Sequence, residues 1–165
     1  MTPTVDDRLA SIVRALSEVI LPHLPPEASL AQEQVQLCIG HIQILRAQID
    51  DLPAYEQEEL VDALALAKEI SAMCEDPKPP CAAAFAELSA AIEAGARGTL
   101  PGCRPLEMRT LNKTVCEAID TAIRAVSQNG SAQERARLSE LVLRHEDERT
   151  LKDRRWFAPF GFDTL

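Results

Sequence analysis

Three histidines (His23, His41, His145) and five cysteines (Cys38, Cys74, Cys81, Cys103, Cys116) are the side chains best suited to hold a metal or carry nucleophilic chemistry. A carboxylate-bridged di-metal site in a helical protein needs Glu-x-x-His on two helices. The residues three before the histidines are Ile20, Cys38 and Val142, so that pattern is absent. Cys38-x-x-His41 sets a thiol and an imidazole on one helical face, but two ligands without a partner pair do not close a tetrahedral site. The five cysteines form no CxxC pair and read as free thiols of a reducing cytoplasm. Cys74, Cys81 and Cys103 lie beside loops, and Cys81, just after Pro80, opens a helix, where a thiol can be activated. No base pairs with them in the pattern, and Ser, His and Asp stand in no triad-like arrangement. His145 falls in the apolar row 138–141–142–145 and reads as a histidine at the edge of a core. Neither GxxxxGK[ST] nor GxGxxG occurs. The residues therefore specify no catalytic set, no metal and no tightly bound cofactor, and the balance weighs against an enzyme.

The charge pattern leaves one opening for a ligand. The net charge is −9, which opposes nonspecific nucleic-acid binding. It is uneven, with −11 over residues 1–96 and +2 over residues 97–165. Arg104, Arg109, Lys113, Arg149 and Arg155 are the candidate contacts for a small anion such as an acyl-CoA.

Four of the six aromatic residues, Trp156, Phe157, Phe160 and Phe162, stand in the last ten positions. Such side chains bury large areas and are rarely left in water. The segment 154–165 is read as an aromatic tail docked on the body of the chain, on a second subunit or on another protein; with its preceding basic residues it could also hold a phosphate or stack a nucleotide.

The elements that position these residues are helical. Thr4 with Asp7 is an acidic capping box, and Leu9, Ile12, Val13, Leu16 and Ile20 follow as one face until Leu21-Pro22. Ala31, Val35, Cys38, Ile42, Leu45, Ile49 and Leu52 then alternate four and three, a heptad seam, with a second row at Leu30, Leu37 and Ile44. A helix apolar on two faces is expected at the centre of the fold. A third helix runs from Pro53 to about Cys74, a fourth from Cys81 to about Ala94, and a fifth through Met108, Leu111, Val115, Ile119, Ala122 and Val126. Ser131-Ala132-Gln133-Glu134 is a full capping box opening the sixth. No segment alternates with period two, and no apolar run is long enough to span a membrane.

Arg8-Leu9, then Ile20-Leu21-Pro22 with Leu24, then the long apolar second helix, resemble a family of uncharacterised bacterial helical proteins. Genes of that family often lie near those for acyl-CoA dehydrogenases and aminoglycoside-phosphotransferase-like proteins. The likeness covers about the first 70 residues. The Gln-rich start of the second helix, Gln32-Glu33-Gln34-Val35-Gln36, departs from it, and the tail has no counterpart. The resemblance implies an accessory role near acyl-CoA metabolism and transfers no site residue.

The expectation is an all-α, antiparallel bundle of five or six helices: one domain, with a helical body at 1–153 and a tail at 154–165. Its leading function is a non-enzymatic interaction protein, cytoplasmic and homodimeric, with no membrane insertion and no nucleic acid. The alternative is a binding module or enzyme for an anionic metabolite.

Overall fold

A computed structural model describes residues 2–74 and 79–160. Every regular element among them is helical: α1 (Val5–Arg14), α2 (Ser29–Gln48), α3 (Leu52–Met73), α4 (Cys81–Ala96), α5 (Pro105–Asn129) and α6 (Ala132–Phe157). The protein is all-α. It divides into two compact units, Met1–Leu52 and Pro53–Leu165.

In the first unit the capping box forms as the sequence predicts. The Thr4 hydroxyl accepts from the Asp7 amide at 3.1 Å, and the Thr4 amide donates to Asp7 Oδ2 at 2.9 Å. After Arg14 the helix widens into a π-helical stretch, Ala15–Ile20, and then tightens into a 3₁₀ turn, Leu21–His23. The wider turn absorbs extra residues and shifts the phase of the apolar row. Leu9, Val13 and Leu16 are half-buried, whereas Ile12 and Ile20 are exposed. The chain returns through Pro25 and Pro26, where Gln32 donates to the Pro25 carbonyl at 2.9 Å. Asp6, at the start of α1, holds Arg46, near the end of α2, through two hydrogen bonds of 2.7 and 3.1 Å. The two helices therefore run in opposite directions as a hairpin.

α2 is not the buried central helix that its two apolar rows suggested. It has no buried residue, and neither has α1. Half of the heptad seam, Val35, Ile42 and Ile49, is half-buried, and the other half, Ala31, Cys38, Leu45 and Leu52, is exposed. Within its unit α2 packs against α1 and the π-helical and 3₁₀ stretches that follow it, which cover only part of its surface.

The second unit holds the core. Leu60, Leu64, Ala67 and Ile70 of α3, Phe85 and Leu88 of α4, and Val115, Ile119, Ala122 and Val126 of α5 are buried together, with Leu138 of α6. Glycine permits the closest approach. A Cβ on Gly98, in the turn after α4, would lie 2.4 Å from Leu60 Cδ2 and 2.8 Å from Leu111 Cδ1. The capping box of α6 forms, with the Ser131 amide donating to Glu134 Oε2 at 2.6 Å. That helix does not stop before the aromatic segment. It runs unbroken through Phe157, because Leu151 to Phe157 contains no helix breaker and Pro159 comes only after its end.

Candidate functional site

Trp156 meets a side chain of its own chain. Trp156 stacks on Tyr55 of α3 with ring centroids 4.6 Å apart and planes 30° from parallel. Tyr55 is the isolated aromatic near the start of α3. Tyr55 donates to Asp153 Oδ1 at 3.2 Å, and the Lys152 ammonium lies 5.2 Å from its ring centroid. Phe157 is exposed at the end of α6. The side chain of Phe160, and Phe162 entirely, lie outside the described residues.

Below the stack, charges bind α6 to α3. Lys152 donates to Glu59 at 2.8 Å and to Asp62 at 2.9 Å. Arg149 lies 3.6 Å from Glu59, and Arg144 pairs with Glu69. Positions 55, 59 and 69 meet 156, 152 and 144, so α3 and α6 are antiparallel. Burial pushes the Tyr55 phenol up to about 12, helped by the nearby Glu59 and Asp153 carboxylates. Desolvation opposes the charge on Lys152, but the hydrogen bonds it donates to Glu59 and Asp62 outweigh it and raise the ammonium above its ordinary value.

Most of the candidate anion contacts already hold carboxylates. Arg109 is bonded to Glu56, the one buried charged residue among those described, through its Nε at 2.8 Å and a terminal nitrogen. This bond holds the Arg109 guanidinium above its ordinary value. Lys113 lies 3.8 Å from Glu117, and Arg149 belongs to the α3–α6 set. Arg104, before α5, and Arg155, near the end of α6, are exposed.

A groove of about 370 Å³ between α3, α5 and α6 is lined by Glu59, Asp62, Cys116, Asp120, His145 and Arg149 among others. Cys116 donates to Asn112 at 3.5 Å, and desolvation at the groove wall pushes its thiol up, away from the thiolate a nucleophile needs. A larger cavity of about 630 Å³ near the start of α4 is lined by Cys74, Cys81, Phe85 and Arg137. Cys81 is buried and donates to the Ala125 carbonyl at 3.5 Å, so its position at the helix start is used for packing. Desolvation also raises the Cys103 thiol. Among the described residues no group of three or more His, Cys, Asp or Glu side chains could hold a metal ion, and no helix is long and apolar enough to cross a membrane.

The surface that remains is the hairpin. From Gln34 to Leu45 no residue of α2 is charged. A helix facing water normally shows a charged face opposite its apolar stripe. Here Leu30, Leu37, Cys38, His41 and Leu45 are exposed on α2, and Val5, Ile12, Val19 and Ile20 on the preceding segment. The rows were legible in the sequence. Their exposure was not, because periodicity tells which residues share a face and not whether anything covers it.

No family model, curated protein or solved structure matches the chain.

Proposed function

We propose that this chain is a non-enzymatic helical interaction protein that associates with a second copy of itself through the hairpin of residues 1–52. One observation carries the reading. No described residue of the hairpin is buried, although Leu30 is 69%, Leu45 56%, Leu37 49% and Ile12 47% exposed. Large contiguous apolar surface in water is costly and marks a surface that meets another. Two observations on the second unit go with it. The Cys103 and Cys116 thiols are raised, and three of the five candidate anion contacts hold carboxylates. A cytoplasmic setting, in which the five thiols stay reduced, belongs to the same proposal.

Light scattering on the eluting full-length protein at micromolar concentration tests it. The mass expected is twice the 18.1 kDa of the chain. The double variant Leu37→Glu/Leu45→Glu is expected to elute as a helical monomer. A strict monomer for the unaltered protein over that range refutes the reading.

The competing reading, a module for an anionic metabolite such as an acyl-CoA, draws on Arg104 and Arg155, which are exposed. A thermal-shift series with coenzyme A esters and nucleotides separates the two, and no shift with any of them removes it.

A further inference from the structure

The second unit does not close at the end where α3 and α5 finish and α4 and α6 begin. A cavity of about 630 Å³ remains there, lined by Met73, Cys81, Phe85 and Val126 among others. Those four side chains belong to the buried core, so core residues form the floor of the cavity. Its size falls in the range that holds a small organic ligand, about 300–1,000 Å³. Pro79 and Pro80 add apolar wall and no amide donor.

The polar groups around it are unequally engaged. At the end of α5 the acceptors are taken. The Ala125 carbonyl accepts from the Cys81 thiol at 3.5 Å and from Asn129 Nδ2 at 3.1 Å, and the Val126 carbonyl accepts from the Gly130 amide at 2.7 Å. Glu134 is the one acid among the described wall residues, and its two oxygens take the Ser131 amide at 2.6 Å and the Cys74 thiol at 3.7 Å. Donors are left over. α4 opens with Pro80 at its N-cap, so no side chain caps the amides of its first turn. Arg137, in the second turn of α6, lines the cavity, is exposed, and makes no hydrogen bond or ion pair among the described residues. An arginine always carries its charge and presents a fork of donors that fits a carboxylate.

We propose that this cavity binds an amphipathic organic acid, with its carboxylate on Arg137 and its apolar chain over Met73, Phe85 and Val126. Charge complementarity selects the class. An organic cation would meet a free guanidinium and, in Glu134, only a carboxylate already engaged. A neutral ligand with the same chain would gain nothing from Arg137. The site lies wholly in the second unit, Pro53–Leu165, and uses no residue of the hairpin, so it stands or falls apart from self-association. It draws on neither Arg104 nor Arg155.

The probe is octanoate, titrated into the full chain and followed by amide NMR, with octan-1-ol and octyltrimethylammonium as neutral and cationic chains of the same length. Octanoate is expected to move the amide signals of Cys81, Phe85, Gln133 and Arg137 and to bind more tightly than either companion. A hydrogen bond between charged groups changes Kd by about tenfold or more, so Arg137→Gln should weaken octanoate by that factor and leave octan-1-ol unchanged. Arg137 is exposed and holds no other part of the fold, so the variant still folds. Equal binding of the three chains, or an unaltered octanoate affinity in Arg137→Gln, overturns the carboxylate contact. Signal changes confined to the hairpin, or none at all, overturn the cavity as the site.

Discussion

Gly98→Ala provides a direct test of the packing that joins α3 to the turn after α4 and to α5. The added methyl would lie 2.4 Å from Leu60 Cδ2 and 2.8 Å from Leu111 Cδ1, and real Cβ atoms essentially never come within 3.0 Å of a neighbour. Leu60 is fully buried, so it can yield only by pushing the core around it. Overpacking of this kind costs about 1–3 kcal/mol. For a chain of this size, that lowers the melting temperature by about 2–4 °C per kcal/mol. Leu60→Ala alone leaves a cavity and costs about 2–5 kcal/mol. In the double variant the new methyl enters the space vacated by Leu60 Cδ2, leaving only the flexible end of Leu111 to move. The two losses should therefore fall short of their sum by about 1 kcal/mol or more, a coupling well above the ~0.3–0.5 kcal/mol scatter of independent sites. Urea titrations followed by helical circular dichroism give the three values. A neutral Gly98→Ala, or strict additivity, would show that the approach of Gly98 to Leu60 is not the contact described here.

Trp156→Ala removes the stack on Tyr55 and is expected to cost about 1 kcal/mol or more, because an aromatic pair contributes beyond its buried area; Phe157→Ala at the exposed neighbour should cost clearly less, as urea midpoints will show. Tyr55 has a folded pKa of about 12, above its ordinary value near 10, so the stability it contributes is complete below about pH 10 and is lost as pH rises toward 12; Lys152, also raised, acts in the same direction, and Tyr55→Phe should flatten the alkaline fall of a melting-temperature series. Asp6 is lowered by its hydrogen bonds to Arg46, so the link between α1 and α2 is present above about pH 4 and is lost as pH falls through the folded value; Asp6→Asn should remove that acid dependence from hydrogen exchange in the hairpin. Arg109→Ala strands the buried Glu56 carboxylate, so its melting temperature should drop more than that of Lys113→Ala, whose partner Glu117 is exposed.

The helices were readable because their signals are local. Thr4 with Asp7 and Ser131 with Glu134 satisfy helix-end amides within four residues, and both boxes form where the sequence puts them. The apolar row of α5 enters the core almost residue for residue. The π-helical stretch after Arg14 gave no such signal, and its wider turn took Ile20 out of the row it would share with Leu9 and Val13 in an ideal helix. At the other end of the chain, the aromatic composition of 154–165 suggested a separate tail, although the helix propensity of Leu151 to Trp156 already allowed α6 to continue.

By itself the sequence determined that the chain is helical, where its capping boxes open helices, and which residues share a face, because caps, proline breaks and periodicity act over one or two turns. Tertiary structure alone decided which faces are covered. It set Trp156 on Tyr55, 101 residues away along the chain, and Arg109 on Glu56, and it left α2 without a buried residue. Burial depends on what each face meets in space, and two rows with the same spacing carry no mark that tells the one that meets a neighbour from the one that does not.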